Sequence, residues 1–302
     1  MPQWFHFLLL FFFISVDLLA SSADEIARKS YEVNHSRYFK NIMIPKKGRS
    51  TILAIKRGVG MKPTVTRLER FLSNDYHDGI VESKDLIIIR SGKLSGLGVL
   101  MTSYLDPQRS HEYMMWIPAL RKVRRIAEPS DATGLSLTDI SFLEDAKLRR
   151  FEDETYTLLE TKIMDLKLLT IPYKKGEFGA DGDQLPSRET FVKNRTISVI
   201  KSTYKKPHHW YEYRISYIDS EYFTDYMTEY YKGGVVIKRV YRHWISLDGI
   251  SDPTFKIWYY WYSKDLITGN EIANYIPPAR IKANQTSSPS FWSLSTLEKI
   301  KR

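Results

Sequence analysis

The chain contains no cysteine. That excludes disulfides, thiolate metal centres and cysteine nucleophiles, and with them the acylated cysteine of a bacterial lipoprotein. Long apolar runs are almost as scarce. Beyond residue 23, charge interrupts every apolar stretch within a few residues, so no later segment reads as a spanning helix. The sequence has no HExxH, GxSxG or phosphate-loop pattern, and its seven histidines show no metal-ligand spacing. Asp181 and Asp183 lack the further oxygen ligands of a calcium loop. Glu152, Asp153 and Glu154 read as a solvated run. No nucleophile, base and oxyanion donor come together, so the expectation is a protein that is not an enzyme and carries no cofactor.

What is present begins with an apolar N-terminus. Phe7 to Val16 is dense in Leu and Phe, and the small residues Ser21 and Ala23 suit the subsites of a signal peptidase. Residues 1–23 are read as a cleaved signal peptide, although the segment has no Lys or Arg and is interrupted by Asp17. An uncleaved anchor is the alternative. Export without cysteine places the product in a bacterial periplasm, held together by its core alone. The net charge is +10, which favours peripheral contact with anionic membrane surfaces. Nucleic acid is not an expected partner outside the cytoplasm.

The mature chain, 24–278 followed by a polar tail over 279–302, opens with a helical period over Asp24 to Phe39. Strand signals then dominate. Ser50 to Lys56, Leu86 to Ile89, Val99 to Leu105 and Glu112 to Ile117 come first. Thr196 to Tyr204, His209 to Asp219, Thr224 to Tyr230, Val235 to Ser246 and Phe255 to Tyr262 follow. Gly233-Gly234 is a hairpin signal, because glycine supplies the positive φ of tight turns. The spacing predicts a mainly β fold built on a large antiparallel sheet, sandwich or part-barrel.

Face patterns sharpen this. In His209 to Ile218, Tyr211, Tyr213, Ile215 and Tyr217 share one face, and Glu212, Arg214 and Ser216 share a face expected to be wet. Phe255 to Tyr262 is aromatic on both faces, so it needs cover on both, whether a packed element or a bound lipid. Ser136 to Leu143 has a capping-box-like start and reads as a short amphipathic helix over the sheet, either a movable lid or plain core.

One stretch carries a resemblance. Met114-Met-Trp116-Ile-Pro118 is followed by Arg121-Lys-Val-Arg124-Arg125-Ile126. Gly98-Val-Leu-Met precedes it, and Leu137-Thr-Asp139-Ile140 comes after. Tyr226 to Tyr231, Gly233-Gly234 and Val236-Ile-Lys238-Arg-Val240 form an aromatic hairpin further on. Over Ile42 to Ile276 this order resembles the outer-membrane lipoprotein-sorting-protein-like family, related to the periplasmic carrier LolA. Met114 stands where that family usually has tryptophan, and Ala132-Thr133-Gly134 where it has Gly-Ser-Asp.

The resemblance implies a curved antiparallel sheet, an incomplete barrel covered by a few helices, that carries lipid or lipoprotein acyl chains without catalysis. Under it, Met114, Trp116, Tyr211, Tyr213, Ile215, Tyr217, Trp258 and Tyr260 are groove candidates. Arg121, Lys122, Arg124 and Arg125 are the rim, meeting headgroups or a partner. Leu137, Asp139, Ile140 and Phe142 belong to the lid helix. A non-catalytic accessory subunit docking on an inner-membrane exporter is the competing expectation.

Overall fold

Short turns between strands of alternating character leave antiparallel pairing as the local option, and the chain takes it almost throughout. A computed structural model describes residues 22–126, 150–170, 185–186, 188–207, 209–247 and 249–300. Helix α1 (Ala23–Asn34) comes first. Its N-cap Ser22 accepts from the Glu25 amide, and Asp24 and Glu25 sit in the first turn, where the helix dipole favours acid. Ile26, Ala27, Ser30 and Val33 form its buried stripe.

The first half of the sheet comprises β1 (Asn41–Ile44), β2 (Ile52–Arg57), β3 (Thr64–Ser73), β4 (Val81–Ile89), β5 (Gly98–Tyr104), β6 (Glu112–Ile117) and β7 (Lys122–Ile126). The second half comprises β8 (Glu154–Thr170), β9 (Arg188–Tyr204), β10 (Tyr213–Asp219), β11 (Asp225–Lys232), β12 (Val235–Ser246), β13 (Lys256–Asp265), β14 (Glu271–Tyr275) and β15 (Lys282–Ala283). Helix α2 (Leu294–Glu298) follows.

The spatial order is β7-β6-β5-β4-β3-β2-β14-β13-β12-β11-β10-β9-β8, with β1 bridging β3 and β15. Among the described residues, 15 strands form one antiparallel sheet whose two ends do not pair, so it is not closed into a barrel. Each half is a meander of sequence neighbours, and β2 pairs with β14 to join them. Gly233 and Gly234 have φ of 58° and 73°, as the hairpin signal requires.

The two faces of the sheet are covered differently. On one, Ile26 and Ala27 of α1 pack on Ile200 and Ile218, beside a core that includes Ile42, Leu68, Leu72, Ile87, Val99, Tyr230 and Trp261. On the other, Phe71, Leu86, Ile88 and Leu100 pack beneath Trp292 and Leu297. The sequence expected a polar tail over 279–302. Residues 279–300 instead lie on the sheet, with the Trp292 indole N–H donating to the Phe71 carbonyl at 2.7 Å. Gly98 lets this segment approach: a Cβ there would lie 2.3 Å from Ile300 Cδ1.

The wet face expected for β10 is corrected. Arg214 and Ser216 are buried, while Tyr213, Ile215 and Tyr217 opposite them are only half-buried. Arg214 is neutralised by Glu154, donating from Nε to Oε1 at 3.0 Å and from Nη2 to Oε2 at 2.8 Å. Glu154 is thus no part of a solvated run. Tyr211 also donates to Glu154, at 2.9 Å, and Arg242 donates to Asp225 at 3.1 Å. Buried charge is sustained here because each carboxylate meets a guanidinium, Glu154 with Arg214 and Asp225 with Arg242.

Candidate ligand-binding site

The half-exposed face of β10 leads to an aromatic floor. Tyr241 from β12, Tyr260 and Tyr262 from β13 and Tyr275 from β14 form it, with Ile55 and Ala273 between them. All are buried, because the long hairpin of β8 and β9 bends back over them. Bulges between Leu158 and Glu160 and between Met164 and Leu166 interrupt its ladder and supply the bend. Leu166 and Leu168 then sit on the tyrosines as a roof, with Leu185 beside them. β8 also reaches across to β12 and β13.

The roof is held by apolar contact and by His243, whose Nε2 donates to the Leu169 carbonyl at 2.9 Å. Burial lowers the His243 pKa from its usual 6.5, and the Leu169 carbonyl offsets part of that. At the edge of the floor the Tyr262 hydroxyl donates to Glu271 at 2.6 Å, and Arg57 holds the same carboxylate at 2.7 Å. Burial raises the Tyr262 hydroxyl well above its ordinary range, and Glu271 adds to the rise. Floor and roof together form a dry, tyrosine-rich layer between two elements that are not hydrogen-bonded as strands. A flexible apolar chain can be accommodated in such a layer if the roof lifts.

The groove candidates do not all meet there. Ile215 and Tyr217 line its partly open side and Tyr260 is part of the floor. Tyr213 lies further along β10, stacked on Tyr231 at 4.7 Å with Lys201 Nζ 4.3 Å from its ring. Tyr211 and Trp258 belong to the core on the opposite face of the sheet. Met114 and Trp116 pack under the C-terminal segment with Trp292 and Leu297.

Arg121, with φ of 48°, occupies the turn before β7, and Lys122, Arg124 and Arg125 project from that edge strand in exposed positions. Arg125 comes within 3.7 Å of Glu112. Leu137, Asp139, Ile140 and Phe142, the lid candidates, lie outside the described residues. Sequence reading missed the roof itself. Its signal was there, since Met164, Leu166 and Leu168 alternate with charged Asp165 and Lys167.

Beside α1 lies a polar cavity of about 350 Å³, lined by Arg28, Tyr31, Arg37, Glu82, Tyr104 and Arg150 among others. Most of its charge is already committed. Arg37 pairs with Glu82 at 2.7 Å, and Arg150 donates to the carbonyls of Asp106, Pro107 and Arg109. Among the described residues, no group of three or more His, Asp or Glu is placed to hold a metal ion.

No family sequence model matches the chain, and neither does any curated protein. Solved structures do match. A DUF1329 family protein from Desulfovibrio piger aligns with a TM-score of 0.64 at 14% identity, covering 92% of this chain and all of the other. A domain taken for an outer membrane lipoprotein-sorting protein, from Vibrio parahaemolyticus, gives 0.61 at 12% identity, over 90% of this chain and all of that one. A LolA superfamily protein from Nitrosomonas europaea gives 0.52 at 12%, over 92% and 100%. At such identities the likeness concerns architecture, and on that ground the open antiparallel sheet of this chain is a LolA-like fold.

Proposed function

We propose that this protein is a non-catalytic periplasmic carrier, which shields the acyl chains of a lipid or lipoprotein between its tyrosine floor and its hairpin roof and delivers them toward the outer membrane. The observation that carries the reading is the construction of that layer: buried tyrosines under leucines of a hairpin that is not paired with them as a strand. Acyl chains in water need shielding worth about 0.8 kcal/mol per CH₂. A roof that is not paired as a strand with the floor beneath it can supply it and release it again. Ile215 and Tyr217 are the entry side of the groove, with Tyr260 beneath. The LolA-like fold of the solved relatives, two of them described as lipoprotein-sorting or LolA superfamily proteins, supports the same reading.

The test is native mass spectrometry, with lipid extraction, of the protein taken from its own periplasm without detergent. Co-purifying phospholipid or acylated peptide is the expected result. A clean apo mass, with no uptake of a fluorescent fatty acid, overturns it. One observation favours a second reading, an accessory subunit of an envelope exporter. Among the described residues β7 ends the sheet, with Arg121, Lys122, Arg124 and Arg125 beside it, which suits docking on an acidic partner strand. Affinity capture that returns one stable protein and no lipid would establish it.

A further inference from the structure

In an antiparallel meander alternate turns gather at one end of the sheet, and here the two ends differ in chemistry. Strands β3, β2, β14, β13, β12 and β11 are successive neighbours, so the turns β2–β3, β13–β14 and β11–β12 stand side by side at the same end. The register keeps them level: Arg57 is opposite Glu271, Lys264 is opposite that same Glu271, and Lys238 is opposite Asp265.

The tips of these turns are apolar and open. Val59 is 71% exposed, Met61 69%, Ile267 72% and Val235 61%. They are not loose, because Val59 rests on Gly269 of the next turn, where a Cβ would come within 2.6 Å of its Cγ2. Exposed cations predominate around them, with Lys62 and Lys232 beside the tips, Lys264 at the end of β13 and Lys93 in the β4–β5 turn on one flank, against the exposed Glu212, whose carboxylate accepts from the Gly233 amide at 3.1 Å. The opposite end also has exposed apolar side chains, Ile80 and Leu105, but its turns carry Asp75, Asp78, Asp106, Glu221 and Asp252.

A ridge of apolar tips within a mainly basic ring matches an anionic lipid surface, where the side chains enter the acyl boundary and the cations meet phosphate. We propose that this crest of three turns seats the protein on bilayers of anionic phospholipid. The acidic end then faces away, and the sheet stands upright on the membrane with the hairpin roof beside it. The inference does not rest on the carrier reading, since a protein with nothing in its groove would still bind such a surface.

The experiment is vesicle co-sedimentation of the full mature chain, with phosphatidylethanolamine containing phosphatidylglycerol against phosphatidylcholine alone. The wild type is expected to pellet with the anionic vesicles and to be released by high salt. Val59→Glu combined with Ile267→Glu should weaken binding by at least about tenfold, since two inserted aliphatic side chains are lost and negative charge is added. Lys62→Glu with Lys93→Glu should weaken it in the same direction. Ile80→Glu with Leu105→Glu, at the acidic end, should not.

Circular dichroism checks that each variant is folded. Crest variants that pellet like wild type overturn the proposal, as does equal loss from both ends. A wild type that ignores vesicles, yet changes oligomeric state when the crest is altered, also overturns it, in favour of a second copy of the chain.

Discussion

Arg214 and Glu154 meet in a two-point contact inside the protein, 3.0 and 2.8 Å long, although 60 residues separate them in sequence. The pair ties the first residue of β8 to β10 across the intervening β9. Removing one partner leaves the other charged and buried. Glu154→Ala is expected to destabilise the protein by about 3–5 kcal/mol, read from urea unfolding. Replacing both, Glu154→Leu with Arg214→Met, should recover most of that loss. A double variant as unstable as the single one contradicts this account.

Asp219 predicts a pH dependence. Burial alone would raise its carboxyl, but Arg195, donating at 2.7 and 2.9 Å, and the amides of Tyr222 and Glu221 outweigh burial and hold it below the usual 3.8. A carboxyl lowered on folding contributes stability that is present above its unfolded value and lost as pH falls through the folded one. Stability of the wild type should therefore decline as pH drops below about 4. Asp219→Asn should be less stable at neutral pH and flatter through that window. Thermal melts across the acidic range decide it.

His243 predicts a second window, confined to the roof. Its pKa is lowered from 6.5 by burial, so the neutral ring belongs to the folded state. Its contribution is complete above pH 6.5 and is lost progressively as pH falls from there through the folded value. Amide protection over Leu166 to Thr170 should fall in that interval more than protection in β12 and β13. His243→Gln keeps a donor for Leu169 without the titration and should remove the difference. Hydrogen exchange, corrected for intrinsic rates, measures both.

The C-terminal segment predicts a packing effect. Trp292 is buried and its indole is bonded to Phe71. Trp292→Ala should cost about 3–5 kcal/mol and expose residues 279–300 to limited proteolysis. Gly98→Ala, which collides with Leu297 and Ile300, should loosen the same segment while β5 stays paired. Proteolysis unchanged in both variants would mean that the segment is not held by these contacts.

Much of the architecture was legible in local sequence. Glu112–Ile117 and Val235–Ser246 appear as strands with the boundaries read from alternation and turns, and Gly233-Gly234 turns the chain as its composition demands. The double-sided aromatic strand does need two covers, since Trp261 and Tyr262 enter different clusters.

What was illegible depends on distant partners. Nothing within a few residues of Arg214 shows that a carboxylate from β8 neutralises it, so alternation assigned its face to water. The candidate groove was scattered for a related reason. An aromatic side chain at a given register looks the same whether its own face is roofed by β8, by α1 or by the C-terminal segment. The polar tail hid Trp292 and Leu297 because two apolar residues carry no period.

The joint between β2 and β14 has a consequence for synthesis. Every other neighbour along the main path of the sheet is adjacent in the chain, so the two meanders can form as their strands emerge. β2, made early, must wait for β14, more than 200 residues later. During that interval its edge is an open template. The nascent protein is therefore most in need of a chaperone after β7 and before β14, and the β2 edge is where that holder has to bind.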